Sequence, residues 1–224
     1  MSSTPKSSTA ASSEEVLTHL RRLLALSRTG LHFAGEQYRS DINGVFDRER
    51  YEEIGKIAVE LLAACSDAPL SVLLESWRAD DGYITPKIDV RGAVFKDEQI
   101  LLVRERSDGK WTLPGGWADV NESPSDAVEK EILQESGFIA KAVKLAAVYD
   151  RNLRNLPPSI FHGWKSFFIC ELVGGEATLS SETDGVDFFT LDSLPELSQG
   201  RTVAWQIERM YAHNKDRALP TEFD

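Results

Sequence analysis

The stretch GWADVNESPSDAVEKEILQESGF, residues 116–138, determines how this chain folds. Ser123 is a favourable helix N-cap residue, and Pro124 suits the first helical position because the N–H that it lacks would have no partner there. Gly137 ends the pattern, since glycine readily adopts the left-handed conformation in which many helices stop. The stretch therefore predicts a helix over residues 124–136 with a capped start and a defined end.

Two glutamates on this helix are candidates for chemistry. Glu131 and Glu135 are four residues apart, so their carboxylates share one helix face. Mg²⁺ or Mn²⁺ prefers such oxygen ligands and keeps waters and substrate phosphate oxygens in its shell. The preceding LPGGW, residues 113–117, predicts a glycine-rich backbone loop directly before the helix. The alternative interpretation is an ordinary capped surface helix with solvated glutamates.

The spacing of glycines and acids in this stretch resembles the Nudix box. The residues that carry the resemblance are Gly116, Glu122, Glu131, Glu135, Gly137 and Phe138. The resemblance covers residues 85–195 and implies an α/β fold, an α/β/α sandwich around a mixed sheet. It also implies hydrolysis of a nucleoside diphosphate that is linked to another group, X.

Two positions depart from the box. Lys130 stands where the box has an arginine, and Gln134 stands where it has a further glutamate. A lysine presents a point charge instead of a planar fork, so we expect looser bracing of a neighbouring carboxylate. Gln134 offers an amide oxygen without a charge. The predicted metal site is formed by Glu131, Glu135, Gln134 and the Gly115 backbone.

Composition restricts the partners that this chain can have. Its 25 basic and 36 acidic side chains give a net charge of -11, which opposes general attraction to nucleic acid or to anionic membranes. Cys65 and Cys170 belong to no CxxC or Cys/His cluster, which argues against zinc and a disulfide framework. Residues 1–13 lack the apolar segment of a signal peptide, and no run has the length of a membrane span. We therefore predict a cytoplasmic protein.

Three regions are predicted along the chain. Residues 1–13 are rich in Ser, Thr and Ala and predict a disordered tail. A helical N-terminal domain is predicted over residues 14–84, with a first helix over 14–28 that Gly30 stops. The Nudix domain is predicted over residues 85–224. Because the helical domain is too small for an independent core, we expect it to form part of the substrate pocket and a homodimer interface.

The remaining elements follow from apolar periodicity. A second helix is predicted from near Asp47, a third over residues 70–78, and a last one over 202–214. Segments of period two predict strands at residues 87–95, 99–106, 142–150, 162–173 and 186–191. Helices between and after the strand groups are typical of a mixed sheet that is covered on both faces.

Charged residues on the first strand are candidates for substrate binding. Alternation places Lys87, Asp89 and Arg91 on one face of that strand. We favour Arg91 as a functional residue, because its fork could hold a diphosphate oxygen in two hydrogen bonds. Lys87 and Asp89 either assist it or simply face solvent. Arg104 on the next strand is a second candidate.

Aromatic residues suggest where the nucleotide or X would bind. The segment WRADDGYITPK, residues 77–87, and YDRN, residues 149–152, resemble a Nudix subfamily that has its own helical N-terminal domain. That subfamily includes CDP-choline and ADP-ribose pyrophosphatases. Trp77, Tyr83 and Trp117 offer aromatic faces for a base or a choline group, although Trp77 and Tyr83 could instead form a hydrophobic plug. Asp150 either shapes the pocket for X or caps a strand.

The expected reaction is metal-assisted hydrolysis of a pyrophosphate bond. A metal at Glu131 and Glu135 would orient water, and either Glu131 or Glu182 would act as the base. Glu182 or Asp184 could also supply a further carboxylate from outside the box. CDP-choline is placed slightly ahead of ADP-ribose as the substrate. The alternatives are a non-enzymatic nucleotide-sensing module and a nucleoside triphosphate pyrophosphatase.

Overall fold

The computed structural model describes five segments of the chain. These are residues 13–37, 42–65, 69–79, 84–153 and 162–224. Tyr83 lies outside the described residues, and so does the predicted tail apart from Ser13, which begins the first helix. The described residues up to Thr85 form one compact unit, and those from Pro86 onward form another.

Three helices make up the first unit. They are α1 (Ser13–Gln37), α2 (Ile42–Ala64) and α3 (Leu70–Ala79). The prediction that Gly30 ends the first helix is wrong, because α1 continues through it. A Cβ on Gly30 would lie 2.4 Å from the Tyr51 ring, so the missing side chain lets α1 and α2 approach closely. This glycine therefore serves helix packing and not helix termination.

Seven strands in the second unit form one mixed sheet. Their bounds are β1 (Lys87–Lys96), β2 (Gln99–Glu105), β3 (Trp111–Thr112), β4 (Phe138–Asp150), β5 (Gly163–Gly175), β6 (Thr183–Phe189) and β7 (Glu222–Phe223). The order is β3-β2-β1-β5-β4-β7, and β6 pairs with β2. The strands β1 and β5 are parallel, whereas β2 and β4 run antiparallel to their central neighbours. The predicted mixed sheet is confirmed, and the two-residue strands β3 and β7 are additions to it.

The predicted box helix is confirmed as α4 (Pro124–Ser136). The Ser123 hydroxyl accepts a hydrogen bond from the Asp126 backbone N–H, which satisfies one of the donors left free at a helix start. Gly137 adopts φ 77°, and its N–H donates to the Leu133 carbonyl. Both caps are local, which explains why the helix bounds could be predicted.

One helix covers each face of the sheet. Val128 and Ile132 of α4 pack in a buried cluster with Val90, Val94 and Phe168. On the opposite face, α5 (Ala204–Lys215) contributes to a second core, and its members include Ala93, Phe167, Ile169, Ile207 and Met210. Alternation along β1 therefore separates two cores, and odd-numbered residues such as Ala93 face α5.

A carboxylate near the C-terminus joins three elements. Glu222 of β7 accepts hydrogen bonds from Tyr149 of β4, at 2.5 Å, and from Arg209 of α5. The His213 ring lies 3.1 Å from the same carboxylate, and burial lowers the pKa of this ring. The Arg209 hydrogen bond is the largest cause that lowers the pKa of Glu222 to about 2.

This low pKa predicts acid sensitivity. The ordinary pKa of Glu222 is 4.5, so its stabilising contribution is present above pH 4.5 and is lost as the pH falls toward 2. We expect Glu222→Gln to lower the free energy of unfolding at pH 7, and the difference from the wild type to narrow below pH 4.5. Urea denaturation at pH 7, 4.5 and 3 measures this. A difference that stays constant over these pH values would contradict the prediction.

Among the helices that the structure describes, none combines the length and the apolar character needed to cross a lipid bilayer.

Candidate active site

The glycine-rich loop before α4 runs antiparallel along β1. Gly92 donates to the Pro114 carbonyl at 2.9 Å, and Val90 donates to the Gly116 carbonyl at 2.8 Å. Gly115 adopts φ 142°, and a Cβ there would lie 2.0 Å from the Val90 carbonyl oxygen. Only glycine can bring the loop backbone this close to the strand.

Both box glutamates of α4 point toward this loop. Glu135 is buried, and its Oε2 accepts a hydrogen bond of 2.9 Å from the Gly115 N–H. The Glu131 carboxylate lies 3.3–3.4 Å from the position that a Cβ on Gly116 would occupy. The helix and the loop therefore bring together two carboxylates and backbone amides, which lie far apart in an extended chain.

Burial makes these two glutamates weaker acids than a solvent-exposed glutamate. It raises the pKa of Glu135 to about 7, with a smaller contribution from Glu105 and Glu131, although Arg91 and the Gly115 N–H oppose the shift. Burial also raises the pKa of Glu131, where Glu182 and Asp119 add to the effect. A raised pKa means that the charged form is disfavoured, here chiefly because burial removes water from the carboxylate and secondarily because like charges lie nearby. A bound cation would favour the charged form.

Glu105 is a buried carboxylate near the candidate site that the sequence analysis missed. It is buried at the end of β2, and its Oε1 lies 3.2 Å from Nε of Arg201. Burial raises its pKa, and Glu182 contributes to the same shift. The available signal was alternation, because Glu105 continues the series of Leu101 and Val103, whose side chains are buried.

The donor set suits a hard cation. Glu131 and Glu135 supply carboxylate oxygens, and Glu105 and Glu182 lie within electrostatic reach of them. Within the described parts of the chain, no three His, Cys, Asp or Glu side chains are already gathered as a metal-binding group. Waters and substrate phosphate oxygens would therefore complete the coordination, as is usual for Mg²⁺.

Arg91 is held by the protein itself. Its Nε and Nη2 donate to the two oxygens of Asp89, at 2.7 and 3.1 Å. Its Nη1 donates to the Leu113 carbonyl at 3.0 Å. Burial opposes ionisation of Asp89, yet Arg91 and Lys165 hold the pKa of that carboxyl below its ordinary value. Arg91 is thus a fixed positive charge beside Glu135, and its fork is occupied by Asp89.

Lys130 joins the loop to the helix. Its ammonium lies 2.8 Å from Asp119 and 2.8 Å from Glu122. The lysine that replaces the arginine of the box therefore still braces Glu122, and it adds Asp119. Gln134 is exposed on α4.

The other predicted substrate residues occupy varied environments. Arg104 pairs with Asp184 at 2.7 Å, so these two predicted site residues contact each other. The half-exposed Trp117 forms an isolated bridge with Asp89, and Asp150 contacts His162 at 2.9 Å. Lys87 is half-buried at the start of β1.

Trp77 lies in the helical unit. Its indole is buried, with the Arg28 guanidinium 4.5 Å from the ring centroid. A Cβ on Gly55 would lie 2.0 Å from the ring, so this glycine makes room for the indole. Trp77 is therefore part of the core of α1, α2 and α3.

Two family profiles match the chain. One, described as a NUDIX domain, covers residues 85–211. The other, described as a UDP-X-like, N-terminal oligomerisation domain, covers residues 14–77. The two matches divide the chain at the same region as the two compact units.

Known proteins are similar over most of the chain. A Bacillus subtilis (strain 168) protein, named "Putative ADP-ribose pyrophosphatase YjhB", is 38% identical over 93% of this chain and 96% of its own length. The crystal structure of a UDP-X diphosphatase is 33% identical, with a TM-score of 0.58, over 96% of this chain and all of that one. An ADP-ribose pyrophosphatase structure from Streptococcus suis is 40% identical, with a TM-score of 0.58, over 62% of this chain and all of that one.

Proposed function

The chain belongs to the Nudix hydrolase family, and on that premise we propose that it hydrolyses the pyrophosphate bond of a nucleoside diphosphate linked to X. The products are a nucleoside monophosphate and phosphorylated X. The observation that carries the proposal is the buried Glu135 beside Glu131, facing the loop at Gly115 and Gly116. A module that only senses nucleotides would have no need for two carboxylates held together at this loop.

Glu131 and Glu135 would hold a divalent cation, for which we propose Mg²⁺ or Mn²⁺. When bound, such an ion neutralises phosphate charge and lowers the pKa of a coordinated water. The Gly115 N–H fixes the orientation of Glu135 through its hydrogen bond to Oε2. Glu131 is the better placed candidate for the base, because it lies at the loop and is half-exposed, while Glu182 influences it from the turn just before β6.

Arg91 contributes positive charge but does not bind the substrate bidentately through its guanidinium. Its guanidinium is buried and bonded to Asp89 and to the Leu113 carbonyl. It acts electrostatically on Glu135 and on developing phosphate charge. This electrostatic role replaces the pair of hydrogen bonds to phosphate that the strand pattern suggested.

ADP-ribose is placed first among the substrates. The similar proteins from B. subtilis and S. suis are both named for ADP-ribose, and a third for UDP-X. CDP-choline, which sequence reasoning placed slightly ahead, becomes the third choice. The half-exposed Trp117 offers an apolar face for a base in each case.

The test is a substrate screen with identified products. Purified protein is incubated with Mg²⁺ and ADP-ribose, a UDP-sugar, CDP-choline or a nucleoside triphosphate, and products are resolved by mass spectrometry. Cleavage of a diphosphate ester to a nucleoside monophosphate supports the proposal. Release of pyrophosphate from triphosphates alone would show a nucleoside triphosphate pyrophosphatase, and no turnover of any compound would favour a sensing module.

A substitution at position 134 tests which residues form the metal site. We expect Gln134→Glu to tighten Mg²⁺ binding, because it adds a negative charge one turn from Glu131 on the same helix. Titration calorimetry on the substrate-free protein measures the affinity. An unchanged affinity would place residue 134 outside the coordination shell.

We also propose that the helical unit forms a homodimer. Its profile is described as an oligomerisation domain, and α2 exposes Ile54, Ile57 and Leu61 in a stripe at helical spacing. Apolar side chains in such a stripe gain free energy when another surface covers them. Light scattering should give twice the chain mass of 25.0 kDa. A mass of one chain at micromolar concentration would contradict the proposal.

A further inference from the structure

Beyond the α4 carboxylates, buried cations gather around Asp89 on the odd-numbered face of β1. Lys165 is the register partner of Asp89 in β5, and its ammonium lies 3.0 Å from Oδ2. Its side chain is 1% exposed. Because Arg91 already donates to both oxygens of Asp89, one carboxylate faces two buried cations.

Arg151 adds a third cation to this group. It follows β4 directly, and its backbone N–H donates to the Gly163 carbonyl at the start of β5. Its Nη2 donates to the Gly200 carbonyl at 3.1 Å. Its Nη1 is buried and finds no hydrogen-bond partner among the described residues. This half-buried guanidinium therefore has an unused donor on a nitrogen that solvent does not reach.

The charges of the group do not balance. Among the described residues, Asp89 is the carboxylate that acts on Lys165 and on Arg151, and it also acts on Arg91 together with Glu135 and Glu105. Buried charge without compensation is costly, so an anionic ligand would be favoured here. Consistently, burial lowers the pKa of Lys165 to about 8, and both arginines contribute to that shift.

We propose that Arg151 and Lys165 bind the phosphoryl group of the substrate that would not be held by a cation at the α4 carboxylates. The proposal rests on the proposed function, since it assigns the second phosphate of the same diphosphate. Arg91 interacts electrostatically with both Glu135 and Lys165. The α4 carboxylates and the cations around Asp89 therefore both lie near this guanidinium, and a diphosphate presents two phosphoryl groups joined through a single oxygen.

Trp117 supplies an apolar wall for this site. Its bridge to Asp89 places the two side chains on the same face. A Cβ on Gly163 would lie 3.3 Å from the Trp117 ring, so the absence of a side chain there lets the ring lie close to the start of β5. The ring remains 46% exposed and can contact whatever is attached to the bound phosphate.

The test compares Arg151→Gln with Arg217→Gln as a matched control. Arg217 is an exposed arginine that also donates to a backbone carbonyl, that of Asn214. The two variants therefore lose the same charge and a similar hydrogen bond. Binding of inorganic phosphate, AMP and ribose 5-phosphate is measured by calorimetry in EDTA, and kcat and KM for ADP-ribose are measured with Mg²⁺.

We expect Arg151→Gln to weaken phosphate binding and to raise KM by about tenfold or more, with a smaller change in kcat. Arg217→Gln should match the wild type, and Arg151→Lys should recover part of the affinity. Stronger binding of AMP than of ribose 5-phosphate would assign the phosphate to the nucleotide side, and the reverse order to X. Either order supports the site.

Two outcomes would overturn the site. One is equal phosphate affinity and equal KM in Arg151→Gln and the wild type, and the other is no phosphate binding by the wild type in EDTA. Lys165→Met, checked for folding by circular dichroism, provides a second variant with the same expectation. If Arg151-dependent phosphate binding is present but no diphosphate is hydrolysed, the proposed function fails while the anion site stands.

Discussion

Glu135→Gln is expected to lower kcat by about a hundredfold or more, the scale on which a preorganised charged group acts in catalysis. The variant removes one of two carboxylates that face the glycine loop, and the amide that replaces it carries no charge to hold a divalent cation. Magnesium affinity should fall together with kcat. Glu131→Gln should be at least as severe, because the same substitution also removes a candidate base.

The fold should survive this substitution. The glutamine Oε1 can still accept the hydrogen bond from Gly115, and burial already raises the pKa of Glu135 to about 7, so the neutral side chain resembles a form that the protein adopts. Thermal unfolding in EDTA should therefore change by a few degrees at most. Glu129→Gln is the matched control, since Glu129 also lies on α4 and accepts from a backbone N–H, that of Ala142. Wild-type turnover in Glu135→Gln would exclude this carboxylate from the reaction.

Gly115→Ala is expected to damage both stability and activity. The new Cβ would lie 2.0 Å from the Val90 carbonyl oxygen, and φ of 142° disfavours any side chain. We expect the free energy of unfolding to fall by about 2–4 kcal/mol, as backbone strain and overpacking add. Moving the loop also moves the N–H that orients Glu135, so kcat should fall even where the protein remains folded.

Urea denaturation and steady-state kinetics measure these two effects. Gly174→Ala is the control, because a Cβ at Gly174 meets no atom within 4 Å. That variant should match the wild type in both measurements. If Gly115→Ala were as stable and as active as Gly174→Ala, the loop would not be held against β1 in the way described.

Local signals in the sequence were sufficient for much of the fold. Ser123 and Gly137 cap α4 as predicted, because caps depend on backbone and side-chain geometry within a few residues. The four-residue spacing of Glu131 and Glu135 likewise places both side chains at the loop, since helix geometry alone determines which residues share a face.

Other features could be decided only by the tertiary structure. Gly30 carries the local signal of a helix end, yet contact with Tyr51 of another helix makes it an interior residue. Arg91 looked available for a phosphate, but Asp89 and the Leu113 carbonyl occupy its donors. Glu105 interacts electrostatically with Glu135 and pairs with Arg201, and both partners lie far from it along the chain.

The sequence by itself determined the box helix, its caps, five of the seven strands and the family, because each is a short-range pattern of period, turn or spacing. Only the tertiary structure decided which charged side chains contact each other. Lys165 and Asp89 are 76 residues apart and become neighbours only because β5 aligns in parallel with β1. Strand register and burial are products of the whole fold, so the balance of charge around Arg91 and Arg151 cannot be inferred from any one segment.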